Sequence, residues 1–386
     1  MSFIITLLAA VFVFSAVIAI HEFGHFAVAK LCGVQVNEFS IGMGPVLLKK
    51  MHHGTQYSLR ALPVGGFVAL EGEESPESQQ AEGEERSDLE ERPLSQRSGV
   101  DSSPNGGASK EEELSQPTGK PLNEAPVWQR ALIMAAGACM NFLLGFVVMA
   151  IVLTAQNEPI TSRVIYAVED GALCGQTGLE AGDKVLAVNG RRCFVANDML
   201  YELMRTEDYS ASFTVLRDGK KVELPRVQFD TWQDEDGETH MSLGFTVYGI
   251  KKTPVNVIKE AWNSVLYYGR IIFTSLMDLL RGRESINDLS GPVGIVTAIG
   301  QAASYGWQDL LELLALITVN VGIFNLLPFP ALDGGKVVFL LIEGVTGHAV
   351  PEKIQSGLTL AAFALLFALM IFATYNDVVR LVTGAI

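Results

Sequence analysis

The start of the chain constrains the fold most strongly. Residues 3–20 form an apolar run of 18 residues without a charged side chain, and a helical continuation over residues 21–31 makes the segment long enough to cross about 30 Å of hydrocarbon. A signal peptide would instead need a basic segment before the run and a small-residue cleavage site after it, and the sequence has neither. We therefore expect a first transmembrane helix in residues 1–35.

Three further segments have the same apolar character, and they lie at residues 131–155, 310–327 and 357–375. Together the four segments predict a polytopic α-helical membrane protein with about four transmembrane helices. The second helix is expected in residues 127–156, and the third and fourth are expected in residues 307–386. Residues 253–306 are apolar as well but charged along their length, which predicts amphipathic helices at the membrane interface; the charged residues include Lys259, Glu260 and Arg270.

The segments between the spans have β-type patterns. Residues 36–70 alternate apolar and polar side chains and contain turn signals at Gly42 and Gly44, which predicts a membrane-associated β-hairpin. Residues 160–250 predict a soluble α+β domain with one helix at residues 196–205. Its strands are expected at residues 163–168, 184–188, 212–216 and 241–248.

Most of the net charge of −15 comes from one segment. Residues 71–126 carry 15 acidic and 5 basic side chains, have no aromatic residue, and are rich in Ser, Pro, Gln and Gly. Such a composition cannot bury a core, so we expect a disordered acidic insert. A chain this acidic also lacks the basic face of a nucleic-acid-binding protein, and we expect no nucleic-acid partner.

Basic residues beside the spans predict their orientation in the bilayer. Lys30, Lys49 and Lys50 follow the first span, and Arg130 precedes the second. The first span is therefore expected to run from outside to inside. This orientation places the acidic insert in the cytoplasm and the soluble domain outside.

A five-residue motif, HEFGH, follows the first apolar run at residues 21–25. Helical residues four apart share a face, so His21 and His25 can bind one Zn²⁺ while Glu22 acts as a general base. Ionisable side chains are costly at the end of an apolar span, which favours a functional site. The alternative is that the histidines mark the interfacial end of the span, with Glu22 reaching into the headgroups.

A catalytic zinc site usually has three protein ligands, and Asp333 is the candidate for the third. It lies in the segment NLLPFPALDGG, residues 325–335, where two prolines break the helix and let the acid turn inward. A zinc protease working at the membrane surface would draw this ligand from a downstream helix. Glu312 and Glu343 are then the nearest candidates.

Several motifs, in order along the chain, resemble the site-2 protease family of intramembrane zinc metalloproteases, and in particular its bacterial branch. They are HEFGH, GMGP leading to LPVGGFVALEGE, GPVGI, and FNLLPFPALDGG, and they cover the chain except residues 73–125. The resemblance implies one Zn²⁺ per chain, with His21, His25 and Asp333 as ligands. It also implies that Glu22 is the catalytic base.

The same resemblance places Asn320 and Asn325 near the bound peptide, although ordinary interhelical hydrogen bonding would also explain an Asn in a membrane helix. We further expect the exposed edge near residues 42–46, including Gly42 and Gly44, to receive an unwound substrate segment as an added strand. Residues 178–190, GLEAGDKVLAVNG, resemble a PDZ domain. This single domain is expected either to capture peptide or to act as a steric filter.

What the resemblance implies about biology is regulated intramembrane proteolysis in the bacterial inner membrane, with the active site near the cytoplasmic leaflet. The expected substrates are single-span membrane proteins that a site-1-type protease has already trimmed, such as anti-sigma factors, or signal-peptide remnants. The alternative function is a membrane-anchored PDZ scaffold with a non-catalytic metal site. An intact Glu22 argues against the scaffold, because scaffolding needs no general base.

Four cysteines are too few and too scattered for a disulfide framework or a Cys-based zinc site. Cys174 and Cys193 could pair with each other if their domain faces an oxidising compartment. Spacing alone does not decide this, because a disulfide needs a specific geometry.

Overall fold

The computed structural model describes residues 3–73, 119–206, 208–234, 237–283, 285 and 289–383. Its helices are α1 (Phe3–Leu31), α2 (Val127–Ala155), α3 (Leu173–Gln176), α4 (Ala196–Met204), α5 (Pro254–Leu280), α6 (Pro292–Tyr305), α7 (Trp307–Leu326), α8 (Asp333–Thr346) and α9 (Glu352–Thr383). Its strands are β1 (Val36–His52), β2 (Thr55–Leu70), β3 (Ile160–Val168), β4 (Lys184–Val188), β5 (Arg191–Arg192), β6 (Ser210–Arg217), β7 (Lys220–Gln228), β8 (Asp230–Gln233), β9 (Thr239–Ser242) and β10 (Phe245–Ile250).

Four helices, α1, α2, α7 and α9, are long and apolar enough to cross a membrane, as predicted. Their outer surfaces explain why they need lipid. In α1 the buried residues form one stripe, whereas most of the remaining large apolar side chains are exposed. Helix α9 exposes still more of its apolar surface, since only 11% of its most apolar window is buried. Apolar surface of this extent is not stable in water, so these faces are suited to hydrocarbon.

The chain divides into two compact units, and the first comprises residues 2–141 and 324–375. In this unit β1 and β2 form an antiparallel pair that bends back on itself. Residues 36–41 pair with residues 66–70 on one side, and residues 38–41 pair with residues 56–59 on the other; residues 46–52 pair with residues 55–60. The pair therefore makes four rows, in the order 66–70, 36–41, 55–60 and 46–52.

Local turns produce this arrangement. His53 and Gly54, with φ of 46° and 66°, connect β1 to β2 by the two-residue turn that suits a twisted hairpin. Gly42 and Gly44, with φ of 88° and 83°, bend β1 in its middle. The predicted turn signals at these glycines thus mark a bend inside a strand rather than the end of a hairpin.

The predicted disordered insert does not extend to residue 126. Residues 74–118 lie outside the described residues, but the flank at residues 119–126 is packed. The Lys120 carbonyl accepts a hydrogen bond from Gln35 N at 2.9 Å, and Lys120 N donates to Gly33 O at 3.0 Å. Leu122 and Ala125 are buried in a core shared with α1 and α2. The prediction of disorder is therefore wrong for residues 119–126, because buried apolar side chains fix this flank to the core.

The second unit comprises residues 142–323 and 376–386. Residues 160–250 of this unit contain a sheet in the order β10-β3-β4-β6-β7, with the short β5 against β4. Strand β4 has its predicted bounds and α4 begins as predicted. Asn189 and Gly190, both at positive φ, form the turn between β4 and β5. The predicted single strand over residues 241–248 is wrong, because Gly244, at φ 63°, divides it into β9 and β10.

Helix α5 is fixed to the domain of residues 160–250 by ion pairs. Arg270 of α5 pairs with Asp198 of α4, and Asp278 of α5 pairs with Arg205. Each of these two carboxylates is almost fully buried, so its partner is needed to offset the cost of desolvation. Cys174 and Cys193 are buried free thiols in the core of the same domain, so the structure does not pair them.

Candidate metal centre

The HEFGH motif lies within the last three turns of α1, and its two histidines face the interior of the first unit. His21 and His25 are one helical turn apart, so their rings share a face. Their Nε2 atoms are 3.2 Å apart, and the rings meet edge to face with centroids 4.9 Å apart. His25 is buried at 8% exposure. The motif therefore brings two imidazole nitrogens to one point.

Asp333 reaches the same point from the other end of the unit's sequence. Helix α7 ends at Leu326, and α8 begins at Asp333 after a loop that contains Pro328 and Pro330. The Oδ2 atom of Asp333 is 3.1 Å from His21 Nε2 and 3.3 Å from His25 Nε2. The next two residues, Gly334 and Gly335, lie against backbone atoms of the loop that would clash with a Cβ. The turn into α8 thus depends on residues without a side chain.

The three atoms fit a tetrahedral zinc ion. Ligands about 2.0–2.1 Å from such an ion are about 3.3 Å from each other, and the three observed separations are 3.1, 3.2 and 3.3 Å. Asp333 Oδ2 is buried and makes no hydrogen bond among the described residues. Burial raises the pKa of the Asp333 carboxyl, but contacts with both imidazoles lower it more, so the carboxylate form is favoured. Metal ligands need this deprotonated form.

Helix α2 contacts the Nδ1 side of both imidazole rings. His25 Nδ1 is 2.8 Å from the carbonyl oxygen of Ile133, and His21 Nδ1 is 3.2 Å from Nδ2 of Asn141. Between these two contacts a Cβ on Gly137 would lie 2.5 Å from His25 Nε2. These α2 residues were not predicted from the sequence. A polar side chain in an apolar span was the available signal for Asn141.

A cavity of about 160 Å³ opens beside the three candidate ligands. Its lining includes Glu22 and, from β2, Phe67, Val68 and Leu70. Glu73 and Lys336 also line it and form an ion pair of 2.7 Å. Burial lowers the pKa of the Lys336 ammonium, but the carboxylates of Glu73, Asp333 and Glu22 together raise it by more. The cavity therefore holds a candidate base, candidate metal ligands and one paired cation.

The other predicted site residues have different positions. Asn320 is exposed and Asn325 is half-buried near the end of α7, and the described cavity lining contains neither of them. Gly42 and Gly44 lie at the bend of β1 and are not part of that lining either. The alternative third ligands Glu312 and Glu343 are not grouped with the two histidines, and Glu343 pairs with Arg130.

A second group of metal-binding side chains lies on the hairpin of β8 and β9. Asp234, Glu238 and His240 have ligand atoms within 4.8 Å of one another. His240 Nε2 and Asp234 Oδ2 are already 2.7 Å apart, and Glu238 is exposed. A surface ion pair accounts for this arrangement.

The sequence matches Peptidase family M50 over residues 9–369. Among similar proteins, regulator of sigma-W protease RasP of Bacillus subtilis is 28% identical over 421 residues, a match covering 98% of this chain and 99% of the relative. Zinc metalloprotease RasP of Geobacillus kaustophilus is 30% identical, with 97% of both chains covered. Zinc metalloprotease RasP of Shouchella clausii is 29% identical, with 97% of this chain and 99% of the relative covered.

The chain therefore belongs to peptidase family M50, and the resemblance to site-2 proteases is confirmed. It is an intramembrane zinc metalloprotease of a bacterial membrane, with Zn²⁺ as its cofactor. A scaffold with a non-catalytic metal is thereby set aside in favour of an enzyme.

Proposed function

We propose that this member of peptidase family M50 hydrolyses peptide bonds within the transmembrane segments of single-span membrane proteins. In this proposal His21, His25 and Asp333 bind one Zn²⁺ per chain, and Glu22 is the catalytic base. The observation that carries it is the convergence of three ligand atoms, 3.1–3.3 Å from each other, beside a cavity that Glu22 also lines.

The chemistry divides between the ion and the protein. Bound Zn²⁺ supplies a Lewis acid that polarises the scissile carbonyl and acidifies water. The Glu22 carboxylate takes a proton from the attacking water and returns it to the leaving amine. Glu22 is next to His21 in sequence but about 100° away around the helix, so it lines the cavity without facing the same point as the imidazoles. This separation lets one helical turn provide both ligands and base.

A transmembrane helix must unwind before it can be cleaved, because its carbonyl groups are hydrogen-bonded within the helix. We place the unwound segment along residues 66–70 of β2. This row is an edge of the described four-row sheet, and Phe67, Val68 and Leu70 line the cavity. A Cβ on Gly66 would be 3.6 Å from Glu22 Cγ. This edge replaces the one expected near residues 42–46, which lies at the bend of β1.

The substrate class and location remain those implied by the family resemblance. The name of the Bacillus subtilis relative, regulator of sigma-W protease, supports substrates that control sigma factors, such as anti-sigma factors trimmed beforehand by a site-1-type protease. Signal-peptide remnants are the second expected group. The charge asymmetry around α1 supports an active site near the cytoplasmic leaflet of the inner membrane, with the soluble domain outside.

The soluble domain is proposed to be PDZ-like. Its GLEAGDKVLAVNG segment and its edge strand β10 support capture of an extended peptide, which PDZ domains achieve by adding a strand to a sheet edge. A domain that only excludes bulky ectodomains would need no such strand. If the domain acted only as such a filter, cleavage of a trimmed substrate would not depend on β10.

The proposal is tested with a purified single-span reporter in liposomes. Glu22→Gln should bind one zinc per chain yet cleave at least about 100-fold more slowly, since general base catalysis contributes about 10²–10⁴-fold. Asp333→Ala should lose zinc together with activity, and a chelator should abolish wild-type cleavage until Zn²⁺ is restored. Glu312→Gln is the matched control and should behave as wild type. Full activity of Glu22→Gln would refute the assignment.

A further inference from the structure

One face of α2 holds three residues spaced by four, Ile133, Gly137 and Asn141, and all three meet the candidate zinc histidines. The carbonyl group of a helical residue points towards the C-terminus, whereas its side chain leans towards the N-terminus. The Ile133 carbonyl and the Asn141 side chain therefore approach Gly137 from opposite ends. Because Gly137 has no side chain, both imidazoles fit into the space between them.

The contact with Ile133 determines the tautomer of His25. A backbone carbonyl can only accept a hydrogen bond, so His25 Nδ1, at 2.8 Å, must carry the proton and donate it. In the neutral ring the lone pair is then on Nε2, the atom 3.3 Å from Asp333 Oδ2. Helix α2 thus prepares His25 for metal binding with a main-chain atom.

His21 has no such fixed acceptor, because its Nδ1 faces a carboxamide that can either donate or accept. The nitrogen and oxygen of an amide exchange places by a half-turn, with almost no change in heavy-atom positions. Zinc binding through His21 Nε2 requires a proton on Nδ1. Only the orientation with the Asn141 oxygen towards His21 provides an acceptor for that proton.

We propose that Asn141 is a positioning residue that makes His21 a zinc ligand by accepting the hydrogen bond from Nδ1. This inference rests on the proposed zinc ligands. Asn141 is fully buried, so neither bulk water nor lipid substitutes for its carboxamide. Partners of this kind hold the ring orientation and raise ligand basicity, and losing one typically weakens metal binding about 10- to 100-fold.

The test measures the zinc dissociation constant by competition with a chelator, in the Glu22→Gln background so that activity plays no part. Asn141→Leu has nearly the same shape but no acceptor, and it should bind zinc about 10- to 100-fold more weakly. Asn141→Asp restores an acceptor and should stay within about threefold of Asn141. Thr154→Val is the control for loss of a polar group from α2, because the hydroxyl of Thr154 donates to the carbonyl of Ala150 in its own helix.

The outcomes separate the two proposals. If the Glu22→Gln protein itself fails to bind zinc, the proposed function is wrong. If it binds zinc and Asn141→Leu binds equally well, only the role of Asn141 is overturned. The role is also overturned if Asn141→Asp is as weak as Asn141→Leu, since the acceptor would then not be what matters.

Discussion

Adding one methyl group at Gly137 should disable the zinc site although no ligand residue is replaced. In Gly137→Ala the new Cβ would lie 2.5 Å from His25 Nε2 and 2.6 Å from His21 Cε1. An ordinary contact needs about 3.4 Å, so either α2 or the rings must move by about 0.9 Å. Ligand positions in a zinc site tolerate only about 0.2 Å.

Neither route of relaxation preserves the site. If the rings move, their Nε2 atoms leave the point that they share with Asp333 Oδ2. If α2 moves away, the 2.8 Å contact between His25 Nδ1 and the Ile133 carbonyl lengthens to about 3.7 Å and is no longer a hydrogen bond. We therefore expect zinc affinity to fall by at least the 10- to 100-fold typical of losing such a contact.

The assay is zinc content after dialysis of purified protein against graded chelator, measured by elemental analysis. Gly357→Ala is the matched control: it makes the same change in membrane helix α9, where a Cβ would meet nothing within 4 Å. The control should bind zinc like the wild type and be slightly more stable, because alanine favours helix over glycine by about 1 kcal/mol. A folded Gly137→Ala protein with wild-type zinc affinity would show that the packing argument is wrong.

Two further predictions concern parts of the chain away from the ligands. Burial, with a smaller contribution from Asp198, raises the pKa of the Cys193 thiol to about 12. Iodoacetamide at pH 8 should therefore leave Cys193 unmodified in the folded protein and modify it in detergent-denatured protein. Modification of the folded protein, or no modification after denaturation without reductant, would contradict a buried free thiol. Replacing residues 76–116 by a short Gly–Ser linker should leave zinc content and reporter cleavage unchanged. Extending the deletion through residue 121 removes the Lys120 pairing with Gly33 and Gln35 and should lower the yield of folded protein, whereas equal yields would mean that this flank is dispensable.

Helical periodicity made the metal-binding pair readable from the sequence. Positions four apart always share a helix face, so HEFGH alone placed His21 and His25 together. Asp333 needed more than spacing, because 307 residues separate it from His25. The proline-broken end of an apolar span made it the candidate third ligand, and the family resemblance then implied the same residue. The four long apolar helices were predictable for the same reason as the histidines, since length and apolarity are local properties of the sequence.

The features that were not predicted from the sequence depend on tertiary pairing. The four rows of β1 and β2 follow from bends at glycines that a hairpin prediction treats as one turn, so the sequence did not predict that residues 66–70 form an edge row beside the cavity. Helix α8 was not predicted, because two glycines follow its first residue, Asp333, and a loop with two prolines precedes it. Asn141 was visible as a polar residue in an apolar span, but nothing local shows that its partner is His21.

Two buried carboxylates illustrate how a structural acid differs from a candidate metal ligand. Asp377, at 0% exposure in α9, accepts hydrogen bonds from Gly291 N at 3.1 Å and Gly294 N at 2.8 Å, where the first turn of α6 has backbone donors to offer. The GPVGI motif therefore has a structural explanation, since a Cβ on Gly294 would lie 2.9 Å from Asp377 Oδ1 and the glycine lets this carboxylate cap the helix. Asp333 Oδ2 has no hydrogen-bond donor of this kind, and its nearest neighbours are two imidazole nitrogens, at least one of which carries a lone pair. A carboxylate oxygen facing a lone pair is repelled unless a proton or a cation lies between them, and this requirement distinguishes the acid of the zinc site from the acid of the helix cap.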